Sequence, residues 1–194
     1  MPPSVRALSG QFWTPLAVAL RVAEWMDALE VETVVDVGSG AGKLCVAAAL
    51  ASKARYHGVE HRAHLVGAAR ALARTLEVDD RATFELRTVG DTPPPEAQAY
   101  YLYNPFGENR FDRFERIDAD VELGEARFRR DVTAVERWLR AAPKGTLVVT
   151  YNGFGGTMPS TFEELRVDRV SPLPLRMWRK TARRIFRLPS WTTD

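Results

Sequence analysis

The stretch "VVDVGSGAGKLCVAAAL", Val34 to Leu50, restricts the fold more than any other part of the chain. Four residues, Val34, Val35, Asp36 and Val37, read as a strand and run into Gly38, Gly40 and Gly42. A small-residue helical pattern follows at once. Glycine allows a tight turn and lets a ligand come close to the main chain. A strand that breaks into such a loop and resumes as a helix offers free backbone N–H groups at a positive helix end. This geometry belongs to an α/β unit with a ligand-binding loop.

Hydrophobic periodicity extends the unit in both directions. Thr14-Pro15 reads as a helix start, with threonine as cap and proline at the first helical position. Leu16, Ala19, Leu20, Ala23 and Met26 then recur at helical spacing, giving an N-terminal helix over about 14–29. Strands are predicted near Thr33–Val37, "ARYHGVE", "ATFELRTV", "AYYLYN" and "GTLVVTY". A helix marked by Leu65, Ala69, Leu72 and Leu76 leaves Arg62, Arg70 and Arg74 for its wet face. "GDTPPPEAQ" is too short and too proline-rich for a helix, so little helix separates strands three and four. A mixed-charge segment runs from Phe106 to about Asp118. Phe128, Val132, Val135 and Leu139 make a helical stripe stopped by Pro143. "FEELRVDRV" and "LPLRMWRK" read as an antiparallel pair turned at Ser171-Pro172. The expected fold is a doubly wound α/β sheet of seven strands, mostly parallel with an antiparallel C-terminal edge. It forms a single domain over 1–194, with a basic C-terminal tail over about 180–194.

Composition narrows the class. No apolar run reaches the roughly 18 residues of a membrane span, and "MPPSVRALSG" lacks a signal-peptide core, which points to the cytoplasm. The single cysteine, Cys45, excludes an internal disulfide and a cysteine-cluster metal site, and its setting reads as small buried packing. His57, His61 and His64 do not share a face suited to a metal triad. Net charge is +2, but eight basic residues and one acid, Asp168, lie between Arg166 and Arg187. A basic edge of that kind can contact an acidic partner, nucleic acid included, or simply be solvated.

The glycine spacing discriminates between ligand classes. The dinucleotide fingerprint G-x-G-x-x-G fails because the third glycine comes one residue early, and Lys43 stands where the last glycine belongs. The P-loop fails for want of G-K-[ST]. Asp36, two residues before the first glycine, would repel a pyrophosphate and suit an ammonium group. "DVGSGAG" resembles the first motif, D/E-x-G-x-G-x-G, of class I (seven-strand, Rossmann-like) S-adenosylmethionine-dependent methyltransferases. The resemblance implies S-adenosylmethionine as cofactor, with Asp36 near its amino group and Gly38, Ser39, Gly40 and Gly42 along its path. Glu60, at the end of the second strand, resembles the family's ribose-binding acid. Gly90-Asp91 resembles its contact to the adenine amino group. With Thr14 and Asn104, these residues make the cofactor-binding set, expected at the C-terminal edge of the sheet.

Asn104-Pro105-Phe106, within "YLYNPFGE", resembles the [D/N/S]-P-P-[Y/F] motif of amino-methyltransferases with one proline missing. It implies a catalytic cradle in which the asparagine oxygen and a proline carbonyl accept from the acceptor amine and the aromatic packs on it. A more limited resemblance, in "FWTP", the short connection between strands three and four and the glycine loop after strand five, is to small protein-lysine methyltransferases. Phe12, Trp13, Tyr103, Phe106, Tyr151 and Phe154 are candidate walls of a dry acceptor channel, and Glu108 is a candidate to remove the amine proton. The function expected is N-methylation of a protein side chain. A small-molecule N- or O-methyltransferase is the alternative, and a non-catalytic cofactor- or RNA-binding module is a further one.

Overall fold

The computed structural model describes residues 13–169 and 173–182. The predicted turn at Ser171-Pro172, the wall residue Phe12 and the tail residues Arg183, Arg184 and Arg187 lie outside them. In chain order the elements are α1 (Leu16–Ala28), β1 (Thr33–Val37), α2 (Lys43–Ala51), β2 (Arg55–Glu60), α3 (Ala63–Thr75), β3 (Ala82–Leu86) and β4 (Ala99–Tyr103). Two short 3-10 turns follow, Gly107–Arg110 and Arg113–Glu115, and then α4 (Glu125–Ala141), β5 (Leu147–Tyr151), β6 (Phe162–Asp168) and β7 (Leu175–Lys180).

The strands form one seven-stranded sheet in the order β3-β2-β1-β4-β5-β7-β6. Pairing is parallel from β3 through β5 and antiparallel for β5–β7 and β6–β7. Successive residues of a strand face opposite sides, and β1 divides accordingly. Val34 joins the core beneath α1, α2 and α3, whereas Val35 and Val37 join the core beneath α4. The β3–β4 connection contains no helix, as predicted. The neighbouring sheet face therefore carries polar side chains, with His57 Nδ1 2.8 Å from Thr83 Oγ1. Among the described residues no helix is long and apolar enough to cross a membrane.

Three local expectations need correction. Thr14 does not cap α1. Pro15 holds the cap position, its carbonyl accepting from Val18 N and Ala19 N at 3.0 and 3.1 Å. Thr14 Oγ1 instead shares a hydrogen bond of 3.0 Å with the buried Tyr101 hydroxyl, a group that would otherwise be buried unpaired. Arg62 is not on the wet face of α3; its side chain is only 3% exposed. Lys180 is not part of a solvated basic edge. Its Nζ donates to the carbonyls of Leu139 and Arg140 at 2.8 and 2.9 Å and to Thr161 Oγ1 at 3.0 Å, filling acceptors left open at the end of α4. Arg176 and Arg179 pair with Glu164 and Glu163.

Candidate active site

The parallel strands deliver their carboxyl ends to one side of the sheet, where a cavity of about 250 Å³ opens. β1 contributes Gly38 and Gly40; β2 contributes Glu60, His61 and Arg62. The chain after β3 contributes Thr88 to Gly90, that after β4 contributes Asn104, Pro105 and Phe106, and that after β5 contributes Asn152. The cavity lies where the strand order reverses, between β1 and β4, the general place of ligand sites in open α/β sheets.

The loop owes its shape to left-handed glycines. Gly38, Gly40 and Gly42 have φ of 80°, 53° and 78°. Gly42 is the cap position of α2, and a Cβ there would sit 2.5 Å from the Phe84 ring and 2.8 Å from Ala69 Cβ. At Gly38 a Cβ would lie 3.1 Å from Pro105 Cβ, so the β1 loop packs directly on the turn after β4. Glu60 joins this arrangement through both oxygens. Oε2 accepts from Gly40 N at 3.1 Å and Oε1 from Arg62 N at 2.9 Å. Burial nevertheless raises its carboxyl above the ordinary range, against the lowering effect of those amides.

Not every expected cofactor residue reaches the cavity. Asp36 is buried behind the loop with Cys45 Sγ 3.5 Å from its Oδ2. Burial pushes its carboxyl up to about 7; the thiol lowers it, and the Glu60 charge adds to the rise. Ser39 is turned inward, its Oγ buried without a hydrogen-bond partner. Thr14 and Gly42 do not line the cavity: Thr14 is paired with Tyr101, and Gly42 turns the loop into α2. Asp91 is more than half exposed, its Oδ1 3.4 Å from Arg127 Nη1. Of the acceptor walls, Trp13, Tyr103 and Phe106 line the cavity, whereas Tyr151 and Phe154 are buried away from it.

Asn104 has φ of 37°, unusual for a residue with a side chain but tolerated by asparagine. Its N–H donates to Gly153 O at 2.9 Å and its carbonyl accepts from Gly107 N at 2.9 Å, which uses the backbone and leaves the side-chain amide for the cavity. A Cβ on Gly107 would clash with that amide, so Gly107 leaves the room it needs. Glu108 is neither a free base nor a flexible surface group. Its Oε1 accepts from Arg62 Nη2 at 2.9 Å and from Ile117 N at 2.7 Å.

Residues that sequence reasoning missed complete the lining. Arg62 gathers Glu108, both oxygens of Asp118 at 3.0 Å and His61 Nε2 at 2.9 Å, and so straps the 106–118 segment over the cavity. His61 stays neutral near pH 7. Burial, then the charges of Arg62 and Arg127, lower it to about 4, while Asp118 opposes them. Arg127 and Asp131 pair at 2.8 Å on the buried side of α4, and Asp131 Oδ1 has no hydrogen-bond partner. That buried side runs Arg127, Asp131, Val135, Leu139. Two charges at four-residue spacing in line with apolar residues were a readable signal of a polar site.

Residues 30–112 match the family model of a methyltransferase domain. The chain has the class I methyltransferase fold. Solved structures agree on the fold. An RNA methyltransferase from Salinibacter ruber, in complex with S-adenosyl-L-homocysteine, is 21% identical with a TM-score of 0.64, over 94% of this chain and 99% of that one. An O-methyltransferase from neocarzinostatin biosynthesis, in complex with S-adenosylmethionine, is 17% identical with a TM-score of 0.61, over 91% of this chain and 55% of that one. The chain thus spans about half the length of that enzyme. The magnesium protoporphyrin IX methyltransferase from Synechocystis, with bound S-adenosylmethionine, is 12% identical with a TM-score of 0.59, over 86% and 79% of the two chains. No curated protein sequence matches the chain.

Proposed function

We propose that this methyltransferase transfers the methyl group of S-adenosylmethionine to a nitrogen, with a protein side chain as the leading acceptor. When bound, the cofactor supplies an electrophilic methyl group. The site's shape suits it: left-handed glycines keep the β1 loop free of side chains, and Glu60 lines the cavity as a carboxylate able to accept from a vicinal diol. Asp36, behind the loop, is the counter-charge for the cofactor's amino group, and Gly42 turns the loop into α2. The neutral His61 and the chain from Thr88 to Asp91 frame the adenine end.

The observation that carries the nitrogen assignment is Asn104. Its side-chain amide lines the cavity, next to the Pro105 that packs on Gly38, and no protein group binds it among the described residues. An amide oxygen there accepts from an N–H and turns the nitrogen lone pair toward the methyl group, so orientation does the catalysis. Phe106, buried beside it, excludes water. A protein side chain leads among nitrogen acceptors because the helix-free β3–β4 connection and the glycine loop after β5 resemble those of small protein-lysine methyltransferases. Incubation with methyl-labelled S-adenosylmethionine and host lysate, followed by separation into protein, nucleic acid and small molecules, tests this directly. Label confined to small molecules or nucleic acid refutes the protein assignment, and label on oxygen refutes the nitrogen assignment.

A further inference from the structure

We propose that Asn152 is a second acceptor-binding residue, and that its side-chain carbonyl and that of Asn104 together hold the two N–H groups of a neutral primary amine. This rests on the nitrogen reading above and adds to it a substrate class and a product preference.

The case begins with a repeated local structure. β4 and β5 are parallel neighbours whose last paired residues are Tyr103 and Tyr151, with ring centroids 4.7 Å apart. The next residue on each strand is therefore an asparagine beside an asparagine. Both leave the strand in the left-handed region, Asn104 at φ 37° and Asn152 at φ 56°. Both line the same cavity. Among the described residues neither side-chain amide has a hydrogen-bond partner, although the backbone next to them is tied by Asn104 N to Gly153 O at 2.9 Å. Left-handed backbone at a residue with a side chain costs free energy, and such positions collect at functional sites. Here the same conformation occurs twice, side by side, at the mouth of one cavity.

The chemistry follows from counting donors. A neutral primary amine has two N–H donors and one lone pair. Two carbonyl oxygens on one side of the nitrogen take both donors and leave the lone pair directed away from them. The nitrogen uses that pair to form the new N–CH₃ bond; the S–CH₃ electron pair stays with sulfur, which becomes a thioether, and the surplus proton on nitrogen passes to solvent. Pro105 also lines the cavity and packs on the β1 loop, its carbonyl 3.9 Å from where a Gly38 Cβ would lie; the second N–H is assigned here to Asn152 because its amide has no hydrogen-bond partner among the described residues. After one transfer the nitrogen has lost a donor, so the monomethyl product binds with one hydrogen bond fewer and a second transfer is slower.

Asn152→Gly is the informative variant, since glycine keeps the left-handed backbone and removes the amide. Asn152→Asp keeps an oxygen acceptor in the same place. The full chain is incubated with methyl-labelled S-adenosylmethionine and host-lysate protein, the product is hydrolysed, and mono- and dimethylated residues are separated. Expected are a mainly monomethylated product for the parent and at least about tenfold slower transfer for Asn152→Gly. Affinity for S-adenosyl-L-homocysteine should be unchanged, the mono-to-dimethyl ratio lower, and transfer partly restored in Asn152→Asp. Parent-like transfer and ratio in Asn152→Gly would overturn this inference and leave the nitrogen reading intact. Equal impairment of the glycine and aspartate variants with an unaltered ratio would overturn it in favour of a structural role. Label on oxygen in the parent would overturn both readings.

Discussion

Arg62 Nη2 donates to Glu108 Oε1 at 2.9 Å, and this bond joins the end of β2 to the segment that follows β4. The same guanidinium holds Asp118 through Nε. One buried cation thus secures a strap of two 3-10 turns beside the cavity. Removing it leaves two carboxylates without their partner. Arg62→Ala should destabilise the fold by about 3 kcal/mol, the scale for breaking a buried ion pair from one side, and should weaken cofactor binding. Urea unfolding and calorimetry with S-adenosyl-L-homocysteine measure the two effects; a change below about 1 kcal/mol would mean that the strap is held by other contacts.

Asp36 links stability to pH with a sign opposite to that of most carboxylates. Its value is about 7 in the fold against 3.8 for the free group, because burial disfavours the charge. Between those values the folded chain keeps a proton that the unfolded chain has released. Stability from this group is therefore greatest below about pH 4 and declines as pH rises to 7, by up to about 4 kcal/mol. Glu60, also raised by burial, adds in the same direction. Asp36→Asn should flatten the decline and be more stable than the parent at pH 8, yet bind the cofactor more weakly. Denaturation at pH 5 and pH 8 checks this, and equal stability of variant and parent at pH 8 would contradict it.

Glu60 should matter for binding more than for catalysis. Glu60→Ala removes an acceptor for ribose hydroxyls and also frees the Gly40 amide. A loss of about 1.5–3 kcal/mol corresponds to a roughly ten- to hundredfold weaker affinity. Unchanged affinity in calorimetry would remove Glu60 from the cofactor site.

Asn104 should matter for turnover. Because its φ is 37°, Asn104→Gly is a milder probe than alanine: it removes the amide and relieves the backbone. Cofactor affinity should change little and turnover should fall at least about a hundredfold. Parallel losses in both would mean that Asn104 shapes the cofactor pocket instead.

Lys180 should behave as a structural residue. Lys180→Met leaves the carbonyls of Leu139 and Arg140 without their donor, a cost of about 1–3 kcal/mol. Arg179→Gln, which breaks an exposed pair with Glu163, should shift stability by less than about 0.5 kcal/mol. Thermal unfolding of the two variants compares them, and the opposite ranking would return Lys180 to the solvated edge.

The local rules reached a defined distance. Strand, glycine loop and helix at Val34–Leu50, the missing helix before β4 and the antiparallel closing pair were all legible, because each is set by short-range periodicity, turn chemistry and backbone freedom. Those same features placed Gly38, Glu60 and Asn104 at adjoining strand ends. The partners of buried charges were not legible. Arg62 was assigned to water because helical spacing says which residues share a face but not what approaches the helix end; there, Glu108 and Asp118 arrive from 46 and 56 residues away. Lys180 read as one of eight cations until β7 brought its amine to the open carbonyls of α4. Arg127 and Asp131 carried a signal in their spacing, yet only packing against Gly90 made it a wall of the cavity. Backbone conformation is chosen locally, by sterics within a few residues. Desolvation and charge pairing depend on which distant segments share a buried volume, and the tertiary structure alone decides that.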